Sequence, residues 1–285
     1  MDIQSIGGGQ IALLVTGIII CAVVPIAIWI IWLIKKKEKF TTILAGAATF
    51  ILFAIILEKP IQNALIFPTM MGLSEHEAST FINARPVLWA FLLGLFPGVF
   101  EETGRFIAYK TVLRNRKNRE TSISHGIGHG GIEQILVLLA NGGLVTYLTY
   151  AVMINTGTFQ LVIDQVMATA PDQVELLYEQ VAQIASFSFA NLGLYLVERL
   201  GFAFLYHVGA SILVFYACKD KKKFWLYPFA ILIHTLIDGM AGLNMAGVIS
   251  LSDAALEAVL AVTGILVFFG AYFLLYRKDP ENVVL

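Results

Sequence analysis

The sequence has little charge and little cysteine, and it lacks the long basic runs of a nucleic-acid-binding protein. Charged residues make up 14% of its 285 residues, against roughly a quarter in an ordinary soluble domain. Its two cysteines, Cys21 and Cys218, lie in apolar segments far apart in the chain, which argues against a disulfide framework or a cysteine-type zinc site. Hydrophobic residues make up 58% and the mean hydropathy is +0.78. The composition therefore predicts a polytopic membrane protein embedded in a lipid bilayer.

Seven apolar segments are long enough to cross a bilayer, since a spanning helix needs about 20 residues. They lie at about 11–34, 40–57, 87–113, 124–154, 187–218, 224–248 and 254–276. The first has no basic region before it and is too long for a cleaved signal peptide, so we expect it to be retained. The predicted fold class is an all-α polytopic membrane protein, with residues 1–285 forming one integral-membrane domain.

Lysine and arginine cluster in alternate connections, after the first, third, fifth and seventh segments. The positive-inside rule therefore predicts an N-terminus outside and a cytoplasmic C-terminus. Residues 58–85 read as a polar connection. Residues 155–185 hold acidic residues but no lysine or arginine, and their apolar residues recur at near-helical spacing. This spacing predicts a helix lying along the membrane surface.

The third segment carries Glu101, Glu102 and Arg105 at its middle. An ionisable side chain deep in a bilayer costs about 2.5–3.5 kcal/mol on insertion scales, so such residues face a protein interior. Glu101 and Arg105 are four residues apart and share a helix face. A structural ion pair between helices is one interpretation. A functional site is favoured because four of the five histidines also lie in or beside apolar segments.

Depth in the membrane supplies a test of that interpretation. Measured from the cytoplasmic ends of four predicted spans, the buried polar residues lie at similar depths, roughly 8 to 21 Å, at 1.5 Å per residue. They are Glu101 and Arg105, His129 and Glu133, His207, and His234 and Asp238. Scattered structural residues have no reason to agree in depth, so we expect these groups to meet in one site.

Each of these groups also has a structural alternative. His125, His129 and Glu133 recur every four residues and line one helix face, with His125 interpreted as an interfacial residue near the cytoplasmic end. The glycines around His129 permit close approach of another helix. His207 fits a core histidine equally well.

Two further pairs are read from their spacing. His234 and Asp238 share a helix face, on which a carboxylate orients an imidazole or both hold a ligand. Glu198 and Arg199 are interpreted as a structural charge pair, or as Arg199 neutralising a buried carboxylate.

Two chemistries fit these residues. In one, Glu101 is a general base, balanced between burial, which favours its protonated form, and Arg105, which favours the carboxylate. In the other, His129, His207 and His234 bind zinc and a glutamate takes a proton from the bound water. The His-Glu-x-x-His signature of zincins is absent from the sequence, and a nearby arginine disfavours a cation. We therefore favour a site without a metal cofactor and keep zinc as the alternative.

Four motifs carry a resemblance to a known family. They are Glu101-Glu102-x-x-Arg105, Gly128-His129-Gly130-Gly131-x-Glu133, Tyr206-His207-Val208-Gly209 and His234-x-x-x-Asp238. In this order they resemble the YhfC family, bacterial relatives of the CAAX-processing and abortive-infection membrane proteases and of PrsW. The resemblance implies a CAAX-protease-like helical core in a bacterial cell membrane and a glutamic-type intramembrane endopeptidase. The YhfC branch has also been described as metalloproteases.

The resemblance also implies roles for single residues. Glu101 matches the glutamate that activates water, and Glu102 and Arg105 match its supporting partners. His129 or His207 matches the histidine of the second motif. In the last motif His234 is the histidine, and Asp238 stands where relatives often have asparagine. The CAAX-type pattern has three residues between Glu-Glu and Arg, whereas this sequence has two, which turns the arginine by about 100° on the helix.

The expected function is hydrolysis of a peptide bond in a membrane-associated protein or peptide. Two other functions use the same residues. A metal- or proton-carrying transporter also places carboxylates and histidines inside a membrane, although the inverted repeats typical of transporters are not evident in the sequence. A non-catalytic scaffold of protease-like fold is the third candidate.

Overall fold

The computed structural model of the protein describes residues 5–140 and 142–279. Within these residues the helices are α1 Gly8–Lys36, α2 Phe40–Ile66, α3 Glu77–Asn83, α4 Pro86–Lys110, α5 Glu120–Val137, α6 Leu144–Asn155, α7 Gln160–Thr169, α8 Val174–Ala185, α9 Phe189–Lys219, α10 Leu226–Met245 and α11 Asp253–Tyr276. Short 3₁₀ turns lie at Pro68–Met71, Pro171–Gln173 and Lys221–Lys223. Helices α2, α9 and α11 contain the π-helical stretches Ile51–Glu58, Val197–Ala203 and Tyr272–Tyr276.

Six helices of the described chain are long and apolar enough to cross a membrane: α1, α2, α4, α9, α10 and α11, the last but one together with the preceding 3₁₀ turn. This confirms the predicted fold class, an all-α polytopic membrane protein. The apolar helix α6 is shorter.

The predicted fourth segment, 124–154, differs from the structure because it is divided into α5 and α6. Gly142 between them has a φ of 79°, a left-handed conformation that glycine adopts without steric cost. Helix α5 falls outside the six apolar helices, yet all its residues from Glu120 to Gly131 are buried. A helix surrounded by protein does not need the apolar surface that lipid demands, which is why α5 tolerates histidines and glycines.

The second span is longer than predicted, reaching Ile66 instead of residue 57. Glu58 and Gln62 look like the start of a polar connection, but both are buried. Pro60 lies in the first turn after the π-helical stretch, where its missing N–H is tolerated. Glu58 and Gln62, which were predicted to lie in a polar connection, therefore belong to a helix that packs against other parts of the protein.

The described chain divides into two compact units. One comprises the described residues up to Val24 together with Gln134–Arg199, and the other comprises Pro25–Glu133 together with the described residues from Leu200 onward. In the first unit, Phe159 packs with α8 residues Leu177 and Val181. The second unit contains every residue proposed above for the site. That the whole chain forms one integral-membrane domain stays a prediction.

The basic connections of the second unit lie together. Asn118 donates to Glu38 Oε1 (2.9 Å), and Lys219 donates to the backbone carbonyl of Lys117 (3.0 Å) and to Asp279 Oδ2 (2.5 Å). The ends of four helices thus share one side of the unit, as the alternation of basic connections predicts. The cytoplasmic orientation of that side stays a prediction.

Candidate active site

Helices α4 and α10 approach each other through small residues. A Cβ atom added to Gly94 would lie 2.2 Å from the carbonyl oxygen of Thr235, and one added to Gly98 would lie 2.9 Å from that of Ile231. Small residues at four-residue spacing allow such backbone contact between membrane helices. The close approach places the next turn of α4, which carries Glu102, beside His234 of α10.

Helix α5 is held in the same way. A Cβ atom on Gly128 would lie 2.1 Å from the carbonyl oxygen of Ile43 in α2, and one on Gly130 would lie 3.1 Å from Cβ of His207 in α9. Trp29 of α1 donates from Nε1 to the carbonyl of Ile127 at 2.6 Å. The glycines around His129 therefore permit close helix packing, as expected, and this packing fixes the direction of the His129 ring.

Glu101 lies at the centre of the polar cluster. Its Oε2 atom is 2.9 Å from His129 Nε2, 3.5 Å from Arg105 Nη2 and 3.9 Å from His207 Nδ1. The side chain is 7% exposed. The expected juxtaposition of Glu101 with His129 and His207 is thus present, and three different helices supply it.

Arg105 joins the two glutamates to His207. Its Nη1 donates to Glu102 Oε1 at 2.5 Å and its Nη2 donates to His207 Nδ1 at 2.7 Å. A guanidinium can only donate, so Nδ1 of His207 is an acceptor and the ring proton lies on Nε2. That atom is 2.5 Å from Glu133 Oε2. The shorter Glu-Glu-to-Arg spacing therefore leaves Arg105 in contact with both glutamates.

His234 lies between two carboxylates. Its Nδ1 donates to Glu102 Oε1 at 2.9 Å and its Nε2 is 3.5 Å from Asp238 Oδ2. The Asp238 side chain is 40% exposed whereas that of His234 is 4% exposed, so this pair leads from the buried cluster towards the protein surface. The ring of Tyr206 packs against both His234 (5.1 Å between centroids) and His207 (5.2 Å).

His125 makes none of these hydrogen bonds or ion pairs, and its ring stacks with that of His129 at 6.2 Å between centroids. It is fully buried, and its ring nitrogens lie 3.3 Å from Thr49 Oγ1 and 3.3 Å from Ser211 Oγ. The interfacial interpretation is therefore wrong. Gly46 explains the burial, because a Cβ there would lie 2.1 Å from the carbonyl oxygen of His125, and α2 covers this turn of α5.

Glu198 and Arg199 form a charge pair with each other. Arg199 Nη2 lies 3.1 Å from Glu198 Oε1. This contact agrees with the structural interpretation of the pair.

Sequence reasoning missed two residues of α2. Pro97 in α4 has no N–H to donate to the carbonyl of Leu93, four residues before it, and Gln62 Nε2 donates to that carbonyl at 3.4 Å. One turn earlier, Glu58 is fully buried and its Oε1 atom lies 3.3 Å from Lys59 Nζ. A signal for Gln62 was present, since a proline inside an apolar helix leaves a carbonyl that a neighbouring helix must satisfy.

We expect Gln62→Leu to destabilise the protein by about 1 kcal/mol, because the Leu93 carbonyl loses its side-chain donor in a low-dielectric environment. Thermal unfolding of the detergent-solubilised protein measures the change. Gln160→Leu is the matched control, since Gln160 is exposed and bonds within its own helix to Asp164. Equal unfolding temperatures for the two variants would contradict a role for Gln62 at the Pro97 turn.

The site contains a group of residues that fits a metal ion. Glu101, His129 and His207 each offer a ligand atom, and these atoms lie within 4.8 Å of one another. A carboxylate with two imidazoles is a donor set that zinc accepts. The predicted histidine triad is different, because His234 is bonded to Glu102 and Glu101 takes its place.

The charges of the cluster also suit a cation. Glu101, Glu102 and Glu133 provide three carboxylates around one guanidinium, that of Arg105. With neutral histidines, two negative charges stay uncompensated, and burying unpaired charge is costly. Arg105 disfavours a metal less than the sequence suggests, since Glu102 at 2.5 Å already neutralises the arginine. A divalent cation or two protons would balance the cluster.

Fold and site together define a polytopic helical membrane protein with a buried glutamate–histidine centre suited to activating water. The family model described as "YhfC intramembrane metalloprotease" matches residues 20–261, so the chain belongs to this family. The match includes every residue discussed for the site. It confirms the family resemblance and supports peptidase activity, whereas the preference for a metal-free centre is not supported by the family description.

A curated relative agrees with this assignment. The chain is 29% identical over 248 residues to the uncharacterized membrane protein YhfC of Bacillus subtilis (strain 168), covering 85% of this chain and 88% of that protein. No solved structure matches the chain significantly. The protein is thus a multi-pass membrane protein with a bacterial relative of nearly the same extent.

Proposed function

We propose that the protein is an intramembrane peptidase that hydrolyses a peptide bond of a membrane-associated protein or peptide, with Glu101 at the reaction centre. The observation that carries this proposal is the buried contact of the Glu101 carboxylate with His129, beside His207 and Arg105. Ionisable groups are expensive inside a membrane and persist where they serve a function.

The residues around Glu101 divide the work of hydrolysis. His129 orients the Glu101 carboxylate, and Glu133 holds His207 in the tautomer with the proton on Nε2. Arg105 is anchored by Glu102, and its second terminal nitrogen faces the centre, where it can stabilise the oxyanion of a tetrahedral intermediate. We assign to His234, held between the carboxylates of Glu102 and Asp238, the role of an imidazolium that gives a proton to the leaving amine as the C–N bond breaks.

Two versions of the site use these residues. In the metal-dependent version, which the family description and the charge of the cluster favour, Glu101, His129 and His207 hold a divalent ion such as zinc. When bound, such an ion polarises the scissile carbonyl and makes a bound water more acidic. In the metal-free version Glu101 itself accepts the proton of the attacking water. The short contact of Arg105 Nη2 with His207 Nδ1 (2.7 Å) favours this second version.

Metal analysis combined with a cleavage assay tests the proposal. We expect the purified protein in lipid nanodiscs to contain about one zinc per chain and to cleave a transmembrane peptide library. A membrane-permeant chelator should remove both the metal and the cleavage, and added zinc should restore them. His129→Ala should lower the metal content, whereas His76→Asn should not, because His76 caps the surface helix α3 and asparagine also caps helices.

Other results would redirect the proposal. Cleavage that persists without metal would establish the metal-free version. Metal-dependent flux into vesicles, with no cleavage of any peptide, would favour the transporter. Assembly with a partner that the wild-type protein leaves uncut would favour the scaffold.

A further inference from the structure

An apolar groove lies between α10 and α11, away from the proposed centre. Its volume is about 630 Å³, and its walls include Leu226, Phe229 and Met240 of α10 and Leu266 and Leu274 of α11. On α10 these residues occupy a different face from that of Thr235 and Gly239, which packs against α4. From Leu226 to Met240 the groove is about 21 Å long at 1.5 Å per residue, which exceeds one leaflet of a hydrocarbon core about 30 Å thick.

One end of the groove is strongly basic. Trp225 lines this end, two residues after the tract Lys221–Lys223. Leu274 and Leu275 line it from α11, and Arg277 and Lys278 follow after Tyr276. Lys221, Lys222, Arg277 and Lys278 are exposed, and Asp220 in the same tract pairs with Lys223 at 3.7 Å. Several cationic side chains therefore lie at one end of the apolar groove.

We propose that this groove binds an anionic phospholipid, with one acyl chain in the groove and the phosphate among these cations. Charge complementarity favours a phospholipid over other occupants of the groove. A transmembrane helix or a second copy of the chain would contact the apolar walls but would offer no anion to the basic end. Basic clusters at the ends of membrane helices attract anionic head groups, and tryptophan is typical of the level where head groups begin. This proposal does not depend on the proposed peptidase activity.

Gly270 offers a direct test, since it lines the groove and an added Cβ would meet nothing within 4 Å. Gly270→Phe should therefore fill the groove without disturbing the helices. Binding is measured as phosphatidylglycerol adducts in native mass spectrometry, and as quenching of Trp225 by brominated phosphatidylglycerol in nanodiscs. Trp225→Phe identifies the quenched signal. We expect wild-type protein to prefer phosphatidylglycerol over phosphatidylcholine by about tenfold.

Gly270→Phe should weaken phosphatidylglycerol binding about tenfold, and the double variant Arg277→Gln/Lys278→Gln should remove the preference between the two lipids. Gly193→Phe is the matched control, at another membrane-helix glycine with open space around it, and should bind as the wild type does. Unchanged phosphatidylglycerol binding by Gly270→Phe overturns the proposal. Equal wild-type affinity for both lipids overturns it as well. A loss of dimer mass, or of substrate binding, in Gly270→Phe with lipid binding intact assigns the groove to a second copy or a substrate and overturns it too.

Discussion

The Glu101→Gln variant is expected to lose peptide hydrolysis by roughly 1,000-fold, as when a group is removed from acid–base chemistry, while it stays folded in the membrane. Glutamine keeps the volume of the side chain and can still contact His129, but it can neither accept a proton from water nor offer a charged ligand. Cleavage of a transmembrane peptide measures the loss, and the unfolding temperature measures the fold. Metal content distinguishes the two versions of the site, because it falls in this variant only if Glu101 is a metal ligand.

Glu198→Gln is the control for this experiment. Glu198 is also a carboxylate within an apolar helix, and its side chain is 24% exposed and paired with Arg199. We expect its cleavage rate to stay close to that of the wild type, because Glu198 pairs with Arg199 and is not among the groups in contact with Glu101. A Glu101→Gln protein that cleaves as fast as this control would remove Glu101 from the reaction centre.

The Gly94→Ala variant should show a large structural effect for a small change in side chain. Its Cβ would lie 2.2 Å from the Thr235 carbonyl oxygen and 2.5 Å from the Gly239 nitrogen, so α4 and α10 must separate. Overpacking of this kind costs about 1–3 kcal/mol. Cleavage should fall about 100-fold, the effect of a 1 Å misplacement, because the Glu102–His234 contact of 2.9 Å crosses the same interface.

Gly239→Ala provides the comparison on the opposite helix. A Cβ on Gly239 would meet its nearest atom, the Ala90 carbonyl oxygen, at 3.6 Å, which is ordinary contact. We expect nearly unchanged unfolding temperature and cleavage, since alanine also has the higher helix propensity. If the two alanine variants behave alike, close packing of α4 on α10 does not hold Glu102 against His234.

That the site residues meet could be predicted because ionisable groups are rare in apolar helices and the helical rise is constant. Their pairing could not, as α5 illustrates. His125 and His129 share one helix face, yet His125 lies between Thr49 and Ser211 while His129 reaches Glu101. Which neighbour a histidine meets depends on the helices packed around it, and four-residue spacing carries no information about them.

The predicted end of the second span was too early for a related reason. The run Glu58-Lys59-Pro60 looks like the end of an apolar helix. The helix nevertheless continues to Ile66, because Glu58 and Gln62 are buried against other parts of the protein. Charge at a helix end indicates exposure only where no other helix covers it. The same reasoning applies to α5, whose low hydropathy reflects a protein environment.

By itself the sequence predicted that the chain crosses a membrane several times and that polar groups of four of its helices meet in one site. This was possible because an uncompensated charge in lipid is costly, so the ionisable residues in apolar segments indicate where protein surrounds the helix. Only the tertiary structure decided that Glu101, and not His234, groups with His129 and His207, and that Arg105 is neutralised by Glu102. Those outcomes depend on helix rotation and separation, which are set by close backbone contacts at Gly94 and Gly128.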